Sequence, residues 1–193
     1  MTLIRIFFVA IMAALSCNVY SQTLEEALKN KDTVAALQLL KAGNNVNALD
    51  QYGASPLMSA CRWADEDMVG FLLRNGATPD KARSPKGRTA LMVGCAYYSG
   101  KGICNMLIEK GADVNATASD GTTALMLAAQ NAKLDVVTLL LKKGAKADAK
   151  NAAGMTALDY ATKAEISDYL KTSVKDTQIN KQAVISLLQA AMK

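Results

Sequence analysis

The 193-residue chain contains no histidine. That removes the side chain most used as a general acid or base near neutral pH, and the commonest metal ligand. Aromatic residues make up only 5% of the chain, with a single tryptophan, although 51% of it is apolar. Alanine, leucine and methionine must therefore supply the core. Such a mixture suits closely packed helices better than a sheet rich in β-branched and aromatic residues. The net charge of +5 is not gathered into a dense basic run, so a grip on nucleic-acid phosphates is not expected. No nucleophile–base pair, paired carboxylates or phosphate-cradling loop stands out, because the glycines fall at a regular period and the acidic residues are dispersed. The expectation is a chain that is not an enzyme and takes no cofactor or metal.

What is present is repetition. Ser55-Pro56-Leu57-Met58, Thr89-Ala90-Leu91-Met92, Thr123-Ala124-Leu125-Met126 and Thr156-Ala157-Leu158-Asp159 each follow a glycine by two residues: Gly53, Gly87, Gly121 and Gly154. These glycines are 34, 34 and 33 residues apart. A second marker runs in phase with the first. Leu39-Leu40, Leu72-Leu73, Leu107-Ile108 and Leu140-Leu141 each precede a glycine, at Gly43, Gly76, Gly111 and Gly144. Thr89 and Thr123 are placed to cap a first helix. Gly76, Gly111 and Gly144 stand where a second helix must end in a left-handed residue. Each unit reads as helix, tight turn, helix, exposed turn. One such unit cannot bury its own apolar face, so stability must come from stacking.

These residues resemble the ankyrin repeat, whose first helix opens with Thr-Pro-Leu-His and whose second leads into Gly-Ala-Asp-Val-Asn. Gly111-Ala112-Asp113-Val114-Asn115 reproduces the latter outright, and Asn44-Asn45-Val46-Asn47 reproduces part of it. The resemblance covers about three quarters of the chain and implies an all-α solenoid of about five helix-turn-helix units with helical caps. The units fall at about 23–49, 50–83, 84–117, 118–150 and 151–173. Met58, Met92, Met126 and Asp159 replace the family's histidine, which removes the hydrogen bond that histidine makes. The third unit has one extra residue near Tyr98 to Gly102, so its inter-helix turn is expected to be distorted. The fifth shortens after Thr162, which makes a weak last repeat the expectation.

The two ends differ from the repeats. Residues 1–21 have the layout of a secretory signal peptide: Arg5, an apolar run from Ile6 to Leu15, then short side chains up to an expected cleavage after Ser21. The run is too short to span a bilayer. Ala14-Leu15-Ser16-Cys17 resembles a lipobox, with Ala14 where leucine is usual; lipidation at Cys17 would instead make the chain a membrane-anchored lipoprotein scaffold. Thr23-Leu24-Glu25-Glu26 has the form of a capping box opening the N-terminal unit. Residues 174–193 form the C-terminal cap. Within them Val184, Leu187, Leu188 and Ala191 form one apolar stripe on a helix from about Asn180 to Met192, expected to cover the last repeat or to bind a partner.

Met58 with Cys61, and Met92 with Cys95, pair soft sulfur groups at i and i+3, but the repeat register makes them core positions. Cys95 and Cys104 fall on antiparallel helices of one unit. That leaves open a disulfide or two buried thiols.

Ankyrin arrays use a concave face, built from exposed turns and the exposed end of each first helix, to hold a protein partner. Carried onto this sequence, the resemblance implies binding residues Tyr52, Lys86, Arg88 and Asp120 in the turns, with Gln51, Thr122 and Met155 beside them. From the first helices it implies Arg62, Trp63, Tyr97, Gln130 and Asn131, with Ala96 and Lys163. Tryptophan, tyrosine and arginine are the types most enriched in binding hot spots. The alternative for Trp63 is packing onto the next repeat. The implied protein is a monomer of the periplasm or cell exterior that binds and modulates an envelope enzyme, by inhibiting it, protecting against it or stabilising it.

Overall fold

A computed structural model of the protein describes residues 23–63, 65–80, 86–97, 100–163 and 174–192. The expected signal segment 1–21, with Cys17, lies outside them. The described residues form α1 (Leu24–Lys29), α2 (Thr33–Lys41), α3 (Pro56–Arg62), α4 (Glu66–Arg74), α5 (Ala90–Ala96), α6 (Lys101–Glu109), α7 (Ala124–Gln130), α8 (Leu134–Lys142), α9 (Ala157–Lys163) and α10 (Val174–Ala191). They contain no strand beyond an isolated bridge between Thr117 and Thr123. No helix among them is long and apolar enough to cross a membrane.

Side-chain oxygens one residue ahead of the first helices set where those helices begin. Ser55, Thr89 and Thr123 accept hydrogen bonds from the amides of Met58, Met92 and Met126 at 3.2 to 3.3 Å, and each satisfies a donor the helix itself leaves orphaned. The missing histidine is compensated in two units. Asp159 accepts from both the amide and the hydroxyl of Thr156 at 2.8 Å, and the Met126 sulfur accepts from the Thr123 amide at 3.4 Å. The expected loss of that bond thus does not hold at Asp159. Its carboxylate makes the reciprocal half of a capping box. Second helices end as expected, with Gly76, Gly111 and Gly144 at φ of +89°, +89° and +87°.

The first helices stack as one layer, α1 on α3, α3 on α5, α5 on α7 and α7 on α9. The second helices form the other, α4 on α6 and α6 on α8. Between the layers Leu57, Leu91, Leu125, Leu72, Leu107 and Leu140 are buried to 1% exposure or less. Fully burying such a side chain contributes about 1.5–3 kcal/mol. Alanines 60, 128 and 129 keep neighbouring first helices close.

Asparagine of the Val-Asn signature bridges one repeat to the next. Asn115 donates to the Gly144 carbonyl at 3.0 Å and accepts from the Lys146 amide at 2.9 Å; Asn47 does the same with Gly76 and Thr78 at 3.1 and 2.9 Å. Asp80 holds the equivalent place and accepts from the Asp113 amide at 2.6 Å.

The inter-helix turns differ in length as the sequence implies. Trp63 and Asn131 close α3 and α7 with ψ of 0° and 12°, whereas Tyr97 closes α5 extended, at ψ −167°. Residues 98 and 99, where the extra residue is expected, lie outside the described residues. In the fourth turn Ala132 sits at φ +50°, a left-handed conformation that costs an L residue about 1–2 kcal/mol. Replacing Ala132 with glycine is therefore expected to raise stability by about 1 kcal/mol; a urea midpoint that stays put or falls would show the strain to be absent.

The C-terminal helix begins six residues earlier than its apolar stripe indicates. Gln178, Ile179 and Asn180, which precede the stripe, are exposed. Val184 and Leu188 are fully buried. The helix packs on both α8 and α9, which is the place a second helix of the fifth repeat would take. It acts as the cap.

Candidate functional site

The ends of α3 and α5 and the turns that precede them open onto a groove of about 510 Å3. Tyr52, Arg62, Trp63, Lys86, Arg88 and Tyr97 all line it. Tyr52 projects from a turn held by Asp50, whose carboxylate accepts from the amides of Tyr52 and Ala54, both at 2.8 Å. It is 72% exposed. Arg62 and Trp63 lie at the C-terminal end of α3, where Trp63 keeps 39% of its surface exposed. The Arg62 guanidinium lies 4.9 Å from the centre of the Tyr97 ring, a cation–π contact across neighbouring repeats. Three aromatic rings and three cations thus share one concave surface, and one of those cations is already seated on one of the rings.

Of the expected binding residues, Asp120, Gln130 and Asn131 fall outside the groove lining, as do Gln51, Ala96, Thr122, Met155 and Lys163. Gln130 is exposed at the end of α7. Asp120 lies in the next turn, where its carboxylate accepts from the Thr122 amide at 2.9 Å; that bond holds its carboxyl below the usual range, with Arg88 adding a smaller pull. Asn131 is half-buried, and its amide donates to the carbonyls of Leu127 at 2.8 Å and Ala96 at 3.3 Å, so it ties repeat four to repeat three. Thr122 is likewise buried, 3.4 Å from the Tyr160 hydroxyl.

Sequence reasoning missed Glu25 and Asp50, which line the N-terminal end of the groove. Glu25 comes from the cap unit, where the repeat register gives no counterpart to read it by. The groove is therefore acidic at one end and cationic at the other. It also missed Lys133, whose ammonium turns back to the carbonyls of Gly94 and Tyr97 and so holds the end of α5 that carries Tyr97. Desolvation lowers the affinity of that amine for its proton.

Below the groove, Asp65 joins the first two repeats. It caps α4 through the Met68 amide at 3.0 Å and pairs with Lys31 at 2.9 Å. Burial alone would raise its carboxyl, but the Lys31 ammonium and the Met68 amide outweigh burial and hold it below the usual range. Asp120 and Asp159 are held low too, chiefly by the amides of Thr122 and Thr156. For an acid with a lowered native pKa, the stability it contributes is complete above the unfolded value of about 4 and disappears as pH falls through the native one. No histidine titrates in between. The array should therefore show nearly level stability from about pH 5 to 8 and a decline below about pH 4, measured by urea midpoints across pH. Asp65→Asn should shallow that decline while costing less than about 1 kcal/mol at neutral pH, because Lys31 remains in solvent. A marked slope between pH 6 and 7 would contradict the assignment.

Among the described residues no group of three or more acidic or cysteine side chains is arranged to hold a metal. Cys61, Cys95 and Cys104 are buried and none is in a disulfide. The fold and groove together define a stacked helical-repeat array with an open groove along its first-helix ends. The chain belongs to the ankyrin-repeat family: it matches the family described as ankyrin repeats (3 copies) over residues 24–118 and 94–183. Arrays of this family serve as protein-interaction modules. The chain is similar to the Mus musculus protein called ankyrin repeat, SAM and basic leucine zipper domain-containing protein 1, with 30% identity over 122 residues, which cover 61% of this chain and 25% of that one. It is 39% identical over 84 residues to the Mus musculus ankyrin repeat and SAM domain-containing protein 6, covering 44% of this chain and 9% of the relative. It is 36% identical over 105 residues to neurogenic locus notch homolog protein 1 of Cricetulus griseus, covering 54% of this chain and 4% of the relative. The chain thus spans a quarter or less of the length of each of these relatives.

Proposed function

We propose that this protein is an exported ankyrin array that binds and modulates an enzyme of the bacterial cell envelope through its concave groove. The observation that carries the binding reading is the gathering of Tyr52, Trp63 and Tyr97 with Arg62, Lys86 and Arg88 around one open groove. Aromatic and arginine side chains bury much surface at low conformational cost and dominate interface energetics. An open groove between stacked turns accepts a protein segment better than it encloses a small substrate, which requires a site that buries most of the ligand. Export rests on the charged, apolar and short-residue order of residues 1–21, and modulation of an envelope enzyme is what a protein-binding array carrying such a leader implies.

The test is affinity capture from an envelope extract with the tagged full chain expressed in a bacterial host, with mass analysis of the purified N-terminus. An N-terminus at Gln22 and specific retention of one enzyme support the proposal, and the activity of that enzyme with and without the array gives the sign of the modulation. A lipidated N-terminus at Cys17 would replace it with the anchored scaffold. Retention of the uncleaved N-terminus together with capture of cytosolic proteins alone would overturn export.

A further inference from the structure

Cys95 on α5 and Cys104 on α6 face each other inside the third repeat, with their sulfur atoms 3.9 Å apart. Both side chains are fully buried. The groove uses neither thiol, and neither packs as an isolated cysteine would. A disulfide requires sulfurs about 2.05 Å apart, so less than 2 Å of approach separates the pair from a bond. The turn between their helices, residues 97–100, is one residue longer than the turns at 63–65 and 131–133. Resistance to that approach is low where α6 begins: Gly100 provides no side-chain cap, and the hydrogen bond from the Cys104 amide to the Gly100 carbonyl is stretched to 3.5 Å. Fraying of this single turn brings Cys104 toward solvent without unstacking the neighbouring repeats, since local openings cost far less than global unfolding.

The chemistry of the two thiols differs. The hydrogen bond from Cys95 holds the Cys104 thiol below its ordinary range, and the nearby Lys133 ammonium acts in the same direction. Cys95 is held above its ordinary range by the same hydrogen bond and by burial. Cys61, on α3 of the preceding repeat, is pushed up mainly by burial. Cys104, on the turn that frays at the start of α6, is the thiol placed to attack, and Cys95, held within α5, the one placed to resolve.

We infer that Cys95 and Cys104 form a reversible disulfide within the third repeat by exchange with an external disulfide of the glutathione type. Cys104 gives up its proton and attacks one sulfur of the external disulfide, releasing the other half as a thiolate that takes up the proton. Cys95 then loses its proton and attacks the Cys104 sulfur in this mixed disulfide, and the second external thiolate leaves and is protonated. The two protein thiols are oxidised by two electrons, and one external disulfide becomes two thiols. The new bond would tie α5 to α6 two residues before Tyr97, fixing the helix end that sets that ring in the groove. It does not depend on what the groove binds.

The experiment equilibrates the full chain with graded ratios of oxidised to reduced glutathione, quenches in acid, alkylates under denaturing conditions and digests with trypsin. Lys101 lies between the two cysteines, so the bond appears as peptides 89–101 and 102–110 joined and lacking two hydrogens. Expected is near-complete loss of alkylation at Cys95 and Cys104 together, with Cys61 still alkylated, reversal by excess reduced glutathione, and the same joined pair in Cys61→Ser. Full alkylation of Cys95 and Cys104 at the most oxidising ratio would overturn the inference. So would a bond from either cysteine to Cys61, or glutathione retained stably on Cys104.

Discussion

Leu91→Ala is expected to cost about 3–5 kcal/mol and to break the cooperativity of unfolding. Leu91 is fully buried in α5, and α5 packs on both α3 and α7. Truncation removes the transfer free energy of the side chain and leaves a cavity that the small neighbours Ala60 and Ala128 cannot fill. In a linear stack the damage is topological as well as energetic, because stability is a sum of repeat and interface contributions and repeat three carries two of the interfaces. Weakening it leaves about two units on each side, fewer than the three that a stable array generally requires. The contrast is Leu28→Ala in the N-terminal unit. Leu28 is equally buried, but its loss exposes one end only, so fraying of repeat one should leave the remaining transition cooperative. Urea titration followed by circular dichroism, with native-state hydrogen exchange on α7 and α9, separates the two. A Leu91→Ala variant that unfolds in one transition with a loss below about 1 kcal/mol would mean that stacking through α5 is not what holds the array.

The repeat markers made the central stack legible because each answers a local requirement of the backbone. Gly76, Gly111 and Gly144 mark helix ends through a positive φ, and Thr89 and Thr123 mark helix starts through their caps. Side-chain direction is another matter. Asn131 occupies a position the register leaves on the surface, yet its amide finds two carbonyls at the ends of α5 and α7; both choices satisfy the same residue, and only the neighbouring repeat decides between them. Lys133 carries no mark in the repeat pattern, and only the neighbouring repeat supplies the Gly94 and Tyr97 carbonyls that its ammonium reaches. Tyr97 and Trp63 were legible as a pair because they stand one repeat apart at equivalent positions. The acid end of the groove was not, since Glu25 belongs to a cap that the period does not reach.

The double substitution Trp63→Ala, Tyr97→Ala should weaken binding of a captured partner by about 100-fold or more, with little change in the fold. The two rings occupy corresponding ends of successive first helices, and Arg62, next to Trp63 in sequence, lies over the Tyr97 ring. Removing Tyr97 therefore also frees a guanidinium whose orientation the ring had fixed, so part of the loss should be entropic: Arg62 must then be ordered by the partner at a cost of about 0.5–1.5 kcal/mol. Stability should change less than for Leu91→Ala because Trp63 is more than a third exposed and Tyr97 only half-buried. The single substitutions are predicted to be less than additive in their logarithms, since rings and guanidinium act on one surface. Titration calorimetry on the two singles and the double reads that coupling. A salt series adds a separate discriminator. Lys86 and Arg88 meet a partner through charge and should lose affinity with ionic strength, whereas the contribution of Trp63 should persist. If the double variant binds as tightly as the native chain while remaining folded, the aromatic end of the groove plays no part in recognition, and contact shifts to the cationic turn around Lys86 and Arg88. Salt sensitivity undiminished in Lys86→Ala, Arg88→Ala would then place recognition outside the groove altogether.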